Sequence, residues 1–426
     1  MIELRPDQRI TVDKGKEILK RYNLLYLAAE VRTGKSVMAM TIAKELGFRR
    51  ILFLSMLKAL SSIKADYAKL GHLFQTMQII NYQQILKEHA GMYDLIICDE
   101  ATFLSAYPKP GVFQKHVKHL VGKTPVILMS GSPTPESPCQ IFHQLDVSYY
   151  SPFSTYKNFY AFAKDYVKHY EVRDSRGNVI KKQVKQKYLK TFKLNDYSEG
   201  LEDKIKEVTS HYTVTLSQQE AGFTSFVEEE ILWEDIDPRM YKLMAILKKD
   251  KIYNMKSGDH IVADSPAKMQ QLFHQISSGT VISQEEKRYT LDETKAKFIK
   301  QIFAGQKIAI YYKFIEEGNL LRKMFPMNTD IPEIFRDRND VTFICQVVSG
   351  RMGVNLATAD ALVMYNIDFS ATSYFQARAR MQAQDRKKAS KLYWIFSKNG
   401  IEKHVYKAVC GKKSFTENYF KKVYGL

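Results

Sequence analysis

Residues 29–36 read Ala-Glu-Val-Arg-Thr-Gly-Lys-Ser and follow directly on an apolar run, Leu24 to Ala28. A tight loop between a strand and a helix aims backbone N–H groups and the positive end of the helix at one point. A lysine and a hydroxyl at the end of such a loop complete a cradle for phosphates. Arg32, Thr33 and Gly34 supply the loop, Lys35 the charge, and Ser36 a hydroxyl ligand for Mg2+. Ala29 stands where this pattern ordinarily opens on glycine, and the competing reading is a surface turn that happens to contain Gly-Lys-Ser. A second pair of residues completes the chemistry. Asp99 and Glu100 end the run Asp94 to Cys98. An aspartate at the end of a neighbouring strand can hold Mg2+, and a glutamate beside it can polarise the water that attacks a γ-phosphate. Two such carboxylates alone could cap a helix; beside a Gly-Lys-Ser loop the catalytic reading prevails.

These residues need strands to carry them. Leu24 to Ala28, Ile51 to Leu54, Met77 to Ile80, Asp94 to Cys98 and Pro125 to Met129 are short apolar runs separated by amphipathic stretches. That pattern predicts strands buried on both faces of a parallel sheet, with helices between them. A second series, Lys307 to Tyr312, Val341 to Val348, Ala361 to Tyr365 and Lys391 to Phe396, predicts a second unit of the same kind. The expectation is therefore an α/β chain of two domains, 1–150 and 235–426, separated by an insertion or linker at 151–234. Within that insertion, residues 157–193 hold eleven Lys or Arg against three acids, and nine Tyr or Phe crowd positions 149–170. Such a mixture can grip a phosphate backbone and stack on bases; equally, the rings can dock on the first domain and leave a basic face outward. Ser175-Arg176-Gly177-Asn178 predicts a turn between two strands. Glu228-Glu229-Glu230 predicts a solvated helix face or a strand edge.

Composition narrows the partners. The 426 residues carry 64 Lys and Arg against 46 Asp and Glu, a formal charge of +18, which favours a polyanion. The cysteines, Cys98, Cys139, Cys345 and Cys410, form no Cys-x-x-Cys pair, and the histidines show no metal-ligand spacing. Neither a secretory leader nor a membrane span is legible, so a soluble, cytoplasmic protein is expected.

Further strings extend the pattern. They are Leu4-Arg5-Pro6-Asp7-Gln8, Ser55 to Lys58, Asn81-Tyr82-Gln83, Ser130-Gly131-Ser132-Pro133-Thr134-Pro135, Lys307 to Phe314, Gln346 to Leu356 and Gln376-Ala377-Arg378-Ala379-Arg380. In order and spacing they resemble the motifs of the superfamily 2 helicases and translocases, in the Swi/Snf-like group and of a compact type found in bacteriophages. The resemblance covers nearly the whole chain apart from part of the insertion. It implies two RecA-like domains with ATP in the cleft between them, Mg2+, DNA-stimulated ATP hydrolysis, and movement along branched, forked or duplex DNA. Gln8, with Arg5 nearby, takes the adenine-reading place; Gly353 and Gln376 take places in the nucleotide motifs. Ser55, Lys58, Asn81, Tyr82, Lys313, Ser349 and Arg351 take DNA-tracking places, to which the basic residues Lys181, Lys182 and Lys185 are added. In the sixth motif Arg380 fits the first arginine, the second position is Ala383, and Arg386 lies one helical turn further along. The implied protein is a monomer in a host cell cytoplasm, with phage or host replication and recombination proteins as further partners. Two other readings stay open: an ATP-gated DNA clamp with little turnover, and an RNA helicase.

Overall fold

The computed structural model describes residues 3–71, 73–189, 192–223, 227–350, 354, 356–369, 377–381 and 389–410. It divides into two units, Met1–Phe223 and Thr224–Leu426.

In the first unit the five apolar runs become β1 (Leu24–Ala29), β2 (Arg50–Ser55), β3 (Thr76–Asn81), β4 (Leu95–Cys98) and β5 (Val126–Met129). Three strands of a small antiparallel sheet follow, β6 (His169–Arg173), β7 (Val179–Leu189) and β8 (Phe192–Asp196), and then β9 (Thr213–Leu216). The main sheet has the order β3-β2-β4-β5-β1-β9, and every pairing in it is parallel. Alternate residues feed two cores. Leu24, Tyr26, Leu52, Leu54, Ile96 and Leu128 face one side, and Leu25, Leu27, Ile51, Phe53, Ile97 and Ile127 the other. Burial on both faces is why these strands carry continuous apolar runs. Helix α1 (Pro6–Tyr22) lies on α2 (Lys35–Glu45), and Gly15 lets them approach: a Cβ there would come within 2.7 Å of Ile42 Cδ1.

Phe153, Phe159, Phe162 and Tyr166 of the aromatic cluster are core, whereas Tyr149, Tyr160 and Tyr170 are exposed. Phe159, Phe162 and Tyr166, on the helix Phe159–Tyr166, are buried with Phe153 against Phe142, and the Phe162 and Tyr166 rings stack at 4.7 Å. The expected turn joins β6 to β7. Asp174 Oδ1 accepts the N–H groups of Arg176 and Asn178 at 2.9 and 2.8 Å, and Gly177 takes φ +85°.

The second unit repeats the architecture. Its sheet contains β10 (Val227–Glu234); after the hairpins β11 (Ile252–Asn254) with β12 (His260–Val262) and β13 (Thr280–Ile282) with β14 (Arg288–Thr290), it takes β15 (Ile308–Tyr312), β16 (Asn328–Thr329), β17 (Thr342–Gln346), β18 (Ala361–Met364) and β19 (Ser390–Ser397). The order is β10-β19-β18-β15-β17-β16, again all parallel. The stretch 151–234, read from sequence as a separate insertion, thus contributes β9 to the first sheet and β10 to the second. Both strands are hard to see in sequence: β9 is four residues long and half polar, and β10 contains the three glutamates. Those glutamates do sit on an edge strand, where charge discourages pairing with another chain. Glu229 turns inward, accepting hydrogen bonds from Trp394 Nε1 at 3.1 Å and the Tyr406 hydroxyl at 3.2 Å and pairing with Arg378 at 2.6 Å. Among the described residues no helix is long and apolar enough to cross a membrane.

Candidate nucleotide site

The carboxyl ends of parallel strands all open on one edge of a sheet, and ligands of such folds bind there. The loop after β1 and the carboxylates after β4 meet at that edge of the first sheet, with β5 between them. The loop is strained into shape by two left-handed residues, Arg32 at φ +65° and Gly34 at φ +93°. At Gly34 the requirement is double, because a Cβ there would also come within 2.3 Å of Gln8 Nε2. Thr33 is fully buried, its hydroxyl donating to the Glu30 carbonyl at 2.8 Å. Lys35 and Ser36 open α2, both half-buried, and Lys35 Nζ donates to the carbonyls of Ala29 at 2.9 Å and Glu30 at 3.2 Å.

Arg5 and Gln8 converge on this loop. Gln8 Nε2 and Arg5 Nη2 both donate to the Thr33 carbonyl, at 2.9 and 3.0 Å, and Gln8 Oε1 accepts the Arg5 backbone N–H at 3.1 Å. Asp7 fixes the guanidinium at 3.0 Å. Pro6 at the first position of α1 needs no hydrogen-bond partner for a missing N–H, so this corner starts the helix cleanly.

Asp99 and Glu100 are both buried, 8% exposed each, and Glu100 takes the left-handed conformation at φ 48°. Ser55 Oγ donates to Asp99 Oδ2 at 2.7 Å, and the Tyr82 hydroxyl donates to the Asp99 carbonyl at 2.7 Å. Burial, with Cys98, Asp99 and Glu100 nearby, pushes the Tyr82 phenol well above its ordinary value, so it remains a donor. Burial likewise pushes the Cys98 thiol up to about 12. Ser55 and Tyr82, expected at a DNA-tracking surface, are fully buried, and their hydroxyls are engaged by Asp99. Asn81 is also buried, its Oδ1 accepting the Gln84 N–H at 3.0 Å to cap the following turn. Lys58 is half-buried in the turn Leu57–Ala59.

Two groups of residues tie the site to the rest of the unit without leaving a sequence signal. The buried Tyr26 hydroxyl donates to Gln144 Oε1 at 2.6 Å, and Gln144 Nε2 donates to the Pro133 carbonyl at 2.8 Å, linking β1 to the Ser130–Pro135 string. Gln218, just after β9, donates from its backbone to Glu30 Oε2 at 2.7 Å and from Nε2 to the Val31 carbonyl at 3.0 Å.

Elsewhere in the first unit, Lys181, Lys182 and Lys185 are exposed on β7, with Lys182 opposite Glu171 and Lys185 paired to Glu199 at 2.6 Å. In the second unit Lys313 follows β15, ion-paired to Asp368 at 2.5 Å, its ammonium 4.4 Å from the centre of the Phe369 ring. Ser349 is exposed on the short helix Val347–Gly350. Arg380 is buried, 6% exposed, and its carbonyl accepts the Leu356 N–H at 3.2 Å. Arg351, Gly353, Asn355, Gln376, Ala383 and Arg386 lie outside the described residues.

No family model matches the chain. Among solved structures it is similar to the Sulfolobus solfataricus SWI2/SNF2 ATPase core in complex with dsDNA, at 14% identity and TM-score 0.42, over 99% of this chain and 93% of that one. It is similar also to the Sulfolobus solfataricus SWI2/SNF2 ATPase core domain, at 14% identity and TM-score 0.41, over 98% and 90%.

Proposed function

We propose that this chain is an ATP-dependent DNA translocase or helicase that requires Mg2+ and hydrolyses ATP in response to DNA. The observation that carries the reading is the convergence, at one edge of one parallel sheet, of the Gly34-Lys35-Ser36 loop and the buried pair Asp99 and Glu100, with Gln8 and Arg5 clasping the loop. The donor set suits the group: a serine hydroxyl and a carboxylate are hard oxygen ligands of the kind Mg2+ takes alongside phosphates. Ser36 and Asp99 would hold the ion, which when bound neutralises charge on the phosphate oxygens. Lys35 exchanges its two backbone carbonyls for phosphate oxygens, a charge-assisted contact. Gln8 reads the adenine edge with Arg5 beside it, Arg32, Thr33 and Gly34 wrap the phosphates, and Glu100 orients the attacking water.

DNA is the proposed partner because the excess of 64 basic over 46 acidic residues matches a phosphate backbone. Lys58, Lys181, Lys182, Lys185, Lys313, Ser349 and Arg351 are the proposed contacts. Gly353, Gln376, Arg380 and Arg386 are the proposed nucleotide-sensing residues of the second unit.

The test is steady-state ATP hydrolysis with Mg2+, first alone and then with single-stranded DNA, duplex, fork, four-way junction and RNA. Stimulation by a DNA form is expected, with the preferred form naming the track. Lys35→Ala and Glu100→Gln are expected to lower turnover by at least about 100-fold with the fold intact. Retained hydrolysis in either folded variant would refute the site. ATP-dependent DNA binding without phosphate release would replace the motor by a clamp, and stimulation by RNA alone would replace the substrate.

A further inference from the structure

Residues 217–223 fold into a compact turn at the end of β9. Ser217 donates from its N–H and hydroxyl to Glu220 Oε2 at 2.7 and 2.8 Å, and Glu220 returns its N–H to Ser217 Oγ at 3.1 Å. The N–H groups of Ala221 and Phe223 close on the carbonyls of Ser217 and Gln218 at 3.1 and 2.9 Å, with Gly222 at φ +74°. The turn holds the phosphate loop by two bonds, and the end of β9 beside it by a third. Glu30 N–H donates to the Leu216 carbonyl at 2.8 Å, Gln218 N–H donates to Glu30 Oε2 at 2.7 Å, and Gln218 Nε2 donates to the Val31 carbonyl at 3.0 Å. The peptide between Ala29 and Glu30 is therefore shared: its N–H serves the last residue of β9, from which the turn springs, while its carbonyl accepts Lys35 Nζ at 2.9 Å. Phe223 is also the last residue of the first unit, and the chain passes from there into the second.

We infer that Ser217–Phe223 is a strap that pre-shapes the phosphate loop and couples its occupancy to the chain leading into the second unit, with Gln218 as its positioning residue. The inference rests on the nucleotide reading above. Gln218 and the Leu216 carbonyl hold the Glu30 N–H and the Val31 carbonyl turned to the strap side, so the loop keeps one shape before a ligand arrives. A phosphate that draws Lys35 from the Ala29 carbonyl acts on the same peptide that anchors the strap, so loop and strap order together. Coupling of this kind is reciprocal: whatever pulls on the strap alters nucleotide affinity by the same factor.

The experiment is hydrogen exchange of the full chain with and without Mg2+ and a non-hydrolysable ATP analogue, beside ATPase kinetics. In the wild type, the nucleotide is expected to slow exchange in residues 30–37 and, by about fivefold, in residues 217–223. Gln218→Ala and Gln218→Glu are both expected to confine protection to 30–37 and raise KM for ATP about fivefold per lost bond, leaving kcat unchanged. The glutamate variant keeps the length, removes the donor and sets a carboxylate against the Val31 carbonyl. Gln219→Ala, at the exposed neighbour, is expected to behave as wild type. Wild-type protection of 30–37 with none in 217–223 would overturn the strap while leaving the nucleotide site standing, as would Gln218 variants with unchanged KM and strap protection. Failure of the wild type to bind the nucleotide would overturn the site and the strap with it.

Discussion

Ser55→Ala tests whether Asp99 is an oriented magnesium ligand or merely a buried carboxylate. The Ser55 hydroxyl donates to Asp99 Oδ2 at 2.7 Å, with Ser55 fully buried and Asp99 8% exposed. A hydrogen bond to a charged group in such surroundings is worth about 1.5–3 kcal/mol. At about 1.4 kcal/mol per decade that corresponds to roughly 10- to 100-fold in an equilibrium, the range in which loss of a residue supporting a metal ligand is felt. The half-saturating Mg2+ concentration for ATP hydrolysis is therefore expected to rise by about 10- to 100-fold, with kcat largely recovered at high Mg2+. The assay is a Mg2+ titration of hydrolysis at saturating ATP. A melting curve run beside it is expected to show a loss of about 1–3 kcal/mol, because Oδ2 loses its buried donor. A folded Ser55→Ala protein with a wild-type Mg2+ dependence would refute the argument that this bond aims Asp99.

Two further substitutions probe the backbone and the second unit. Gly34→Ala forces a left-handed φ of +93° on a residue whose Cβ would come within 2.3 Å of Gln8 Nε2; a loss of about 1–2 kcal/mol from the conformation alone and an at least tenfold fall in nucleotide affinity are expected, read by melting and equilibrium binding. His274 is fully buried, its Nε2 donating to Asn366 Oδ1 at 2.5 Å, and burial with Lys313 nearby holds its pKa well below the ordinary value. The unfolded chain therefore takes up a proton near pH 6.5 that the folded one refuses, so stability present above that pH falls as pH drops through it, by up to about 1.4 kcal/mol per pH unit. Glu317, raised by burial, acts with the opposite sign; the difference between wild type and His274→Gln in urea unfolding at pH 7 and 5.5 isolates the imidazole, and the variant is expected to lose less stability on acidification.

The sheet interiors were legible in sequence because strands covered on both faces need unbroken apolar runs, and Leu24 to Ala28 or Ile51 to Leu54 admit few other readings. The strands β9 and β10 were not, since Thr213–Leu216 alternates like a half-exposed segment and three glutamates conceal an edge. The shared sheet edge of the Gly34-Lys35-Ser36 loop and of Asp99 and Glu100 was legible because each directly follows an apolar run that forms a strand. Ser55 and Tyr82, expected at a DNA-tracking surface, are instead buried with their hydroxyls on Asp99: position at a strand end does not reveal whether a hydroxyl turns toward solvent or toward a buried carboxylate. Gln218 could not be found at all, for it meets Glu30 across 188 residues of chain with no motif to mark either end.

That separation gives the first unit an order of assembly. Strands β1 to β5 are synthesised early, yet β1 sits between β5 and β9, and its second neighbour emerges only after the whole basic insertion. At about 5 to 20 residues per second, translation supplies Gln218 some 10 to 40 s after Glu30. For that interval, and permanently in any fragment ending before Thr213, the chain presents Leu24–Ala29 as an apolar strand with an open edge, a ready template for pairing with another chain. The strand that covers this side of β1 thus leads straight into the residues that brace the Glu30 loop, and takes the edge position in its place.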